Sequence, residues 1–399
     1  MKLKFELLSP INGESVHVID EQIVNYLNEA NKNLDLANID LYANSETNIG
    51  PVPVSFKFNT NKKIKSARIH ISKSKDFEKE QIIITKDKTA EIYNLEVDTI
   101  YYWRVSSRDN FSDIQQFVTY NEPRMLKIGS VKNVRDLGGT LACGTKIKQG
   151  LLFRGYELTE KSYYHTNREG YNLFHKKILF KKDAEIFNNF LHVKTELDFR
   201  GNEESGLKVT SGLGKEINYF RLPITAYKGA LGLNKDNSII PGMTNLYRQV
   251  FEILAEEKNY PVYFHCWGGA DRTGTVAFLI RGLCGANLTE LVTDYEITSF
   301  SGAVRNHKYN DLNMNYSNFC ELVSEIQKRY RRSENEPWSE VITRYMKTCL
   351  GLSESTIEKL KRLATFRLGI KSLIILISKN LIDHRLVHTQ VITGRYSLT

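Results

Sequence analysis

One stretch decides the fold of this chain: Val262-Tyr263-Phe264-His265-Cys266-Trp267-Gly268-Gly269-Ala270-Asp271-Arg272-Thr273-Gly274. Its first three residues predict a short buried strand, and residues 273–284 predict a helix that Gly285 ends. A strand that runs through a glycine-bearing loop into a helix turns backbone N–H groups and the positive end of the helix dipole toward one point. The stretch therefore predicts a cradle for an anion at one edge of an α/β sheet.

Two residues of this loop carry the predicted chemistry. Cys266 begins the loop, and Arg272 closes it. A guanidinium holds two phosphate oxygens in a planar fork, and a positive field favours the thiolate, which is the nucleophilic form of cysteine. Thr273 is expected to donate its hydroxyl to the sulfur when the sulfur leaves. The expected phosphate contacts are Trp267, Gly268, Gly269, Ala270, Asp271 and Arg272.

Some loop residues have two interpretations each. Cys266 could be a merely packed cysteine, but the strand, both glycines and the R-T-G ending fall where phosphate chemistry needs them. His265 fits a packed strand residue that shapes the loop better than a catalyst. Trp267 either lines the pocket or packs on a neighbouring helix. Asp271 is either the general acid for the leaving oxygen or a brace, and in the second case Asp236 or Asp198 is the next candidate acid.

Charge and cysteine spacing exclude several other classes of protein. Of the formal charge of +9, the residues from Lys359 onward hold eight Lys or Arg against Asp383 alone, so the rest of the chain is nearly neutral. A broad nucleic-acid-binding face is therefore not expected. The five cysteines form no C-x-x-C pair, which argues against zinc ribbons and a disulfide framework. We expect no metal and no cofactor.

The pattern along the chain predicts a multidomain protein. Residues 1–120 read as an all-β sandwich, because apolar residues alternate over 52–58 and 67–71 and an aromatic run spans 101–105. Residues 20–48, which are polar, are expected to form a long loop or a short helix, and Asn121-Glu122-Pro123 looks like a linker. Residues 121–363 read as an α/β domain with helices on a central sheet. Strands are predicted at 193–199 and 262–264, and further helices at 243–256, 315–330 and 353–363, with Ser353 as an N-cap.

Residues 364–399 form a basic, partly apolar tail. Phe366, Ile370, Leu373 and Ile377 follow helical spacing with basic residues between them. An extra helix that covers the domain core is favoured over a helix on a membrane surface. No segment has the roughly 20 apolar residues that cross a bilayer, and no apolar run of signal-peptide length follows the first lysines. We expect a cytoplasmic protein, with export left open.

Four sequence blocks resemble the bacterial tyrosine-phosphatase family that includes dual protein and phosphoinositide phosphatases. The loop, HCWGGADRTG, is similar to that family's H-C-x-x-G-x-D-R-T-G signature, and residues 133–139, 152–155 and 197–200 are similar to its N-x-R-D-L-G-G, L-x-R-[SG] and D-L-R segments. The resemblance implies a three-layer α/β phosphatase fold, a phosphocysteine intermediate and no metal. Residues 1–120 resemble a fibronectin type III-like domain.

Four further residues of these blocks are expected to have supporting roles. Arg135 and Asp136 are expected to brace the loop from behind rather than to touch the substrate. Asp198 and Arg200 either support the loop or form a structural ion pair. Two departures from the family pattern also matter: Ala270 replaces a lysine that would favour phosphoinositide headgroups, and no Asp follows the predicted strand end at residues 221–225.

We therefore expect a phosphatase that hydrolyses phosphate monoesters, with protein phosphotyrosine as the preferred substrate. A phosphoinositide or inositol-phosphate phosphatase is the alternative on the same loop. An adaptor that only holds a phosphorylated partner is the alternative from another class, although such proteins usually lack the Cys or the Arg. The expected partner is thus a phosphorylated protein or a small phosphate ester.

Overall fold

The computed structural model of the protein describes residues 3–34, 37, 39, 49–166, 170–302, 305 and 315–366. None of the helices in these ranges combines the length and the hydropathy that a bilayer crossing needs. The basic tail beyond Phe366, with its predicted helix, lies outside the described residues.

The amino-terminal part forms two sheets around one core. Its strands are β1 Phe5–Ser9, β2 Glu14–Val16, β3 Val54–Thr60, β4 Ala67–Ser72, β5 Gln81–Thr85, β6 Thr89–Ile92, β7 Ile100–Ser107, β8 Asn110–Phe111 and β9 Gln115–Thr119. One sheet has the order β1-β3-β6 and the other β2-β9-β7-β4-β5, with β8 paired to β7. The predicted alternation is confirmed, since Val54, Phe56 and Phe58 of β3 are buried. Phe56 packs edge-on against Trp103 of β7, with ring centroids 5.1 Å apart.

A helix interrupts these strands, so the region is not wholly β. Helix α1, Glu21–Lys32, lies in the segment expected as a loop or short helix, and Asp20 caps it by accepting from the Gln22 backbone N–H at 2.9 Å. Its buried residues Ile23, Tyr26 and Ala30 share a core cluster with residues of the carboxy-terminal part, not with the β core. The expectation of a short helix in this segment is therefore confirmed.

The predicted linker is a packed junction. The Glu122 carboxylate accepts from the Val18 backbone N–H at 2.6 Å. Arg124 donates to the Leu95 carbonyl at 3.1 Å and to Asp136 at 2.7 Å. Since Leu95 belongs to the amino-terminal part and Asp136 to the other, Arg124 ties the two together.

Asp136 does not brace the loop, contrary to the expectation. Besides Arg124, its carboxylate accepts from the backbone N–H groups of Gly138 and Gly150, at 2.8 and 2.6 Å. Burial raises the pKa of Asp136, while Arg124 and these backbone donors oppose that rise. Its contacts therefore fix the junction and two turns.

A mixed five-stranded sheet forms the centre of the carboxy-terminal part. The strands of this part are β10 Arg135–Asp136, β11 Gly139–Thr140, β12 Lys146–Ile147, β13 Leu152–Gly155, β14 Tyr163–Thr166, β15 Asn172–His175, β16 Thr195–Asp198, β17 Asn218–Arg221 and β18 Val262–His265. The central sheet has the order β10-β13-β18-β16-β17, in which only β10 is antiparallel to its neighbour. Because β18 lies in the middle, the loop after it begins at the edge where the parallel strands end.

Helices pack around this sheet: α2 Lys181–Glu185, α3 Met243–Leu254, α4 Asp271–Leu283, α5 Leu288–Glu296, α6 Asn315–Tyr330, α7 Trp338–Thr348 and α8 Glu354–Ala364. The predicted helices α3, α4, α6 and α8 are confirmed within two residues at each end, and Ser353 caps α8 by accepting from the Thr356 N–H at 3.1 Å. The sequence did not predict α5, α7 or the β14–β15 hairpin. Helix α4 is buried on nearly all sides, which explains why its sequence is apolar rather than amphipathic.

Candidate active site

The loop between β18 and α4 packs directly on the end of β13. Cys266, at the start of this loop, is only 3% exposed. Gly269 has φ +61°, and a Cβ atom there would lie 2.2 Å from the Gly155 carbonyl oxygen. No other residue fits this position, because both the backbone angle and the contact exclude a side chain. The loop is therefore held tightly against the sheet.

Side chains behind the loop turn its carbonyl groups away from the anion cradle. Asn133 donates through Nδ2 to the carbonyls of Gly268 and Gly269, at 3.1 and 3.2 Å. Arg154 donates to the Gly269 carbonyl at 2.8 Å. A peptide whose carbonyl points backward presents its N–H forward, so these bonds orient donors toward a bound phosphate. Both residues belong to sequence blocks that resemble the family motifs, but neither was predicted to be part of the site.

Arg135 lies in a second layer behind this loop. It donates to the Asn133 side-chain oxygen and to the Asp294 backbone carbonyl, the latter at 3.0 Å. The Asp294 carboxylate pairs with Arg154. Burial alone would raise the pKa of Asp294, but Arg154 and Arg135 hold it below its usual value. Arg135 thus reaches the loop only through Asn133 and Asp294.

Arg272 is held by a carboxylate that the sequence did not single out. Its two terminal nitrogens bond the Glu204 carboxylate, with NH1 at 2.6 Å from Oε2, and NH1 also donates to the Phe199 carbonyl at 3.2 Å. Burial would raise the pKa of Glu204, but Arg272 lowers it, so the pair is ionised. Within the described residues none of these bonds uses Nε. That edge of the guanidinium is therefore the one a phosphate would bind.

Asp271 is held as an ionised brace in this structure. Arg305 donates to its carboxylate through Nε and NH2, at 2.6 and 2.7 Å. The hydroxyls of Tyr227 and Tyr295 donate to the same carboxylate, the second at 3.3 Å. Burial would raise the pKa of Asp271, but Arg305 and the hydroxyls lower it. A carboxyl with a lowered pKa holds no proton at neutral pH, which disfavours the general-acid interpretation.

A family model described as "Tyrosine phosphatase family" matches residues 126–365, which is more than half of the chain. This chain belongs to the tyrosine phosphatase family. A curated tyrosine-protein phosphatase from Nostoc commune is 40% identical over 53 residues, which are 13% of this chain and 18% of that protein. The match thus spans less than a fifth of the length of this relative.

Solved structures of the SIW14 catalytic core are similar to part of this tyrosine phosphatase family member. One is described as the core catalytic domain of the PP-IP phosphatase SIW14 from S. cerevisiae in complex with citrate; it is 18% identical and covers 43% of this chain and 96% of its own, with a TM-score of 0.25. The other is 17% identical and covers 48% and 93%, with a TM-score of 0.27.

A buried polar cluster supports the floor of the phosphatase loop. His265 lies with Nδ1 at 2.9 Å from the Cys266 carbonyl oxygen and Nε2 at 3.0 Å from the Glu196 carboxylate. Burial would raise the pKa of Glu196, but Lys208 and His265 lower it to about 2. Asp198 and Arg200 form a bidentate ion pair, with Nε–Oδ1 2.9 Å and NH2–Oδ2 2.6 Å. Of the two interpretations of Asp198 and Arg200, the structure thus shows the ion pair, which lies beneath the loop.

This cluster also contains the one group with metal-ligand spacing among the described residues. Ligand atoms of Glu196, Asp198 and His265 all lie within 4.8 Å of one another. Lys208 already bonds Glu196 at 2.9 Å, and Arg200 occupies both oxygens of Asp198. The carboxylates are therefore charge-compensated by side chains of the phosphatase itself.

Trp267 and Thr273 have surroundings that the sequence did not predict. Trp267 is 44% exposed and contacts His175 of β15, with ring centroids 5.0 Å apart, so it packs on the β14–β15 hairpin rather than on a helix. The Thr273 hydroxyl is buried, and no hydrogen-bond partner lies within reach among the described residues. A buried hydroxyl without a partner is costly, which fits a group that acts during turnover.

A cavity of about 810 Å³ opens beside Arg272 and Asp271 in this phosphatase. Its apolar wall comes from Phe199, Pro223, Ile224 and Leu233, and its polar wall includes Lys228, Lys235, Asp236 and Glu321. Lys228 is largely neutralised, since its ammonium bonds the Lys235 carbonyl at 2.6 Å and Glu321 at 3.2 Å. Among the described residues that line it, the cavity thus offers an apolar face and three cations, of which Lys228 and Arg272 are already paired with carboxylates.

We expect Asp271→Asn to slow the hydrolysis of all phosphate esters by a similar factor, about tenfold, because a brace acts on the position of the loop and not on a proton. The measurement is kcat/KM over a series of aryl and alkyl phosphates of falling leaving-group acidity. Asp236→Asn is the matched control, since this exposed carboxylate lines the same cavity and is bonded to Ser238. If one of the two variants loses kcat/KM only for esters with poor leaving groups, the carboxylate removed in that variant is the general acid.

Proposed function

We propose that this protein is a phosphatase that hydrolyses phosphate monoesters through a phosphocysteine intermediate, with protein phosphotyrosine as its substrate. The carrying observation is the loop itself. Cys266 begins the loop and is buried, the carbonyls of residues 268 and 269 accept from Asn133 and Arg154, and Arg272 is fixed by Glu204 at the far end. This arrangement supports Cys266, Arg272 and the loop N–H groups as the catalytic and phosphate-binding set.

The proposed reaction has two displacements. The Cys266 thiolate attacks phosphorus, the S–P bond forms as the ester P–O bond breaks, and the leaving oxygen takes its proton from solvent. Water then attacks phosphorus and gives up a proton to solvent, the S–P bond breaks, and inorganic phosphate and the thiolate are released. Arg272 and the loop N–H groups stabilise the charge on the equatorial oxygens in both transition states. Thr273 would donate its hydroxyl to the sulfur as the S–P bond breaks.

The cavity beside Arg272 supports an aryl ester. Phe199, Ile224 and Leu233 provide an apolar face for a ring. A ring that carries several phosphates needs several free cations, whereas here Lys228 is committed to Glu321 and the loop has Ala270 in place of a lysine. The alternative, a phosphoinositide or inositol-phosphate phosphatase on the same loop, therefore has less support.

The domain division and location remain part of this proposal. We propose a fibronectin type III-like domain at residues 1–120, a phosphatase domain at 121–363 and a tail at 364–399. All five cysteines are free in the structure, which fits a reducing compartment such as the cytoplasm.

A substrate panel assayed in EDTA tests the proposal. We expect kcat/KM for a phosphotyrosine peptide to exceed that for a phosphoserine peptide and for phosphoinositide vesicles by about tenfold or more, since a mismatched pocket typically costs that much. Preference for the vesicles would establish the phosphoinositide alternative. Binding of a phosphopeptide without any turnover would establish the adaptor.

A further inference from the structure

Three consecutive residues at the end of α5 contact three different parts of the protein. The Asp294 carboxylate pairs with Arg154, which holds the phosphate loop from behind. The Tyr295 hydroxyl donates to Asp271, inside that loop, at 3.3 Å. The Glu296 carboxylate accepts from the hydroxyl of Tyr26, on helix α1 of the amino-terminal part. Consecutive residues on a helix point in directions about 100° apart, so one turn of α5 joins α1 to both sides of the loop.

The contact between α1 and this turn is buried. Ile23 and Tyr26 of α1 pack with Ile297 and Phe300, which directly follow α5, and none of these residues is more than 6% exposed. The rings of Tyr26 and Phe300 lie 6.0 Å apart. Burial and the Glu296 charge raise the pKa of Tyr26 well above its usual value, so Tyr26 keeps its proton and acts as the donor.

We propose that helix α1 positions the phosphate loop, with Tyr26 as a positioning residue that acts through Glu296 and α5. Tyr316 also hydrogen-bonds the Glu296 carboxylate, so loss of the Tyr26 hydroxyl removes one of the donors to this buried group, and we expect the last turn of α5 to adjust. Asp294 and Tyr295 belong to that turn. Any shift in them moves Arg154 and Asp271, which set the orientation of the loop N–H groups.

This inference extends the proposed function, and its kinetic readout rests on that function. It also gives the amino-terminal part a role in catalysis. Displacement of α1 by a partner or by truncation would lower activity even though α1 contributes no atom to the phosphate site.

The test compares Tyr26→Phe with Tyr101→Phe. Tyr101 is also buried, but it belongs to the β core rather than to the cluster that joins α1 to α5, and its hydroxyl accepts from the Glu96 backbone N–H at 2.8 Å. We expect Tyr26→Phe to lower kcat for an aryl phosphate by about tenfold with little change in KM, since small misplacements of a reacting group are costly. Tyr101→Phe should leave both constants unchanged.

A second readout does not depend on turnover. The rate at which iodoacetamide alkylates Cys266, measured against pH and with inorganic phosphate as protectant, reports the state of the loop. We expect phosphate to protect Cys266 from alkylation less well in Tyr26→Phe alone. If the wild type hydrolyses no ester, the proposed function fails. The alkylation of Cys266, with phosphate as protectant, still tests whether α1 positions the loop.

A pair of cavity variants guards against a folding defect in Tyr26→Phe. Ile23→Ala loosens α1 without removing a polar group, and Ile69→Ala removes the same atoms from the β core; both isoleucines are 0% exposed. If Ile23→Ala and Ile69→Ala lose similar thermal stability but only Ile23→Ala loses kcat, the result would support the positioning of the loop by α1. Equal kcat and equal alkylation profiles in each matched pair would overturn it.

Discussion

Cys266→Ser should abolish turnover of an aryl phosphate in EDTA, with a loss of roughly 10⁴-fold or more, which is the scale seen when a nucleophile is removed. A serine hydroxyl at this position does not ionise as a thiol does, so the loop would still attract phosphate but nothing would attack it. The measurement is single-turnover and steady-state hydrolysis together with binding of inorganic phosphate. We expect binding to persist while hydrolysis disappears.

The matched control is Cys143→Ser, which makes the same substitution at an exposed free cysteine. This variant should keep wild-type kcat and KM. Hydrolysis that survives in Cys266→Ser would show that another nucleophile does the chemistry, and the proposed phosphocysteine intermediate would have to be abandoned.

Arg272→Ala should lower kcat/KM by about 10³-fold, because removing one fixed donor to the transition state costs about 10²–10³ and this side chain supplies more than one. Arg272→Lys should recover little, since an ammonium has charge but no planar fork. Arg272→Ala also leaves Glu204 without its ion-pair partner, so Glu204→Gln separates the two effects. We expect Glu204→Gln to lose only about tenfold, as a loss of positioning.

Thermal unfolding of these variants provides the check on folding. A kcat/KM for Arg272→Ala within tenfold of wild type would contradict the proposed role of the guanidinium. A loss in Glu204→Gln as large as that in Arg272→Ala would mean that the ion pair, rather than the free edge of Arg272, is what catalysis requires.

Local patterns account for the part of the site that the sequence predicted. The strand, loop and helix around Cys266 are continuous in the chain, and their glycine and apolar spacing reports backbone shape directly. The same holds for helices such as α6 and α8, where periodicity and a cap define the ends. The blocks at residues 133–139, 152–155, 197–200 and 265–274 indicated a tyrosine phosphatase, and the match over residues 126–365 confirms membership of the tyrosine phosphatase family.

Long-range partners account for what the sequence missed. Glu204 reaches Arg272 across 68 residues, and Arg305 reaches Asp271 across 34. A carboxylate in a polar loop looks like any solvated acid until folding brings an arginine to it. The partner of Asp136 was missed for the same reason, because Arg124 directly follows the predicted linker at residues 121–123, and nothing in that segment indicates a contact with residue 136. Pro123 predicts the end of a strand, but it does not predict which residues Arg124 contacts.

The packed junction has a consequence for how the protein melts. Arg124 is bonded at once to the Leu95 carbonyl and to the buried Asp136. Unfolding of the amino-terminal part would take the Leu95 carbonyl away from the buried Arg124 guanidinium, and a buried donor that loses its acceptor costs about 1–3 kcal/mol. The amino-terminal and carboxy-terminal parts are thus thermodynamically linked: they should lose structure in one cooperative transition, so that a destabilising change in either part lowers the melting temperature of both.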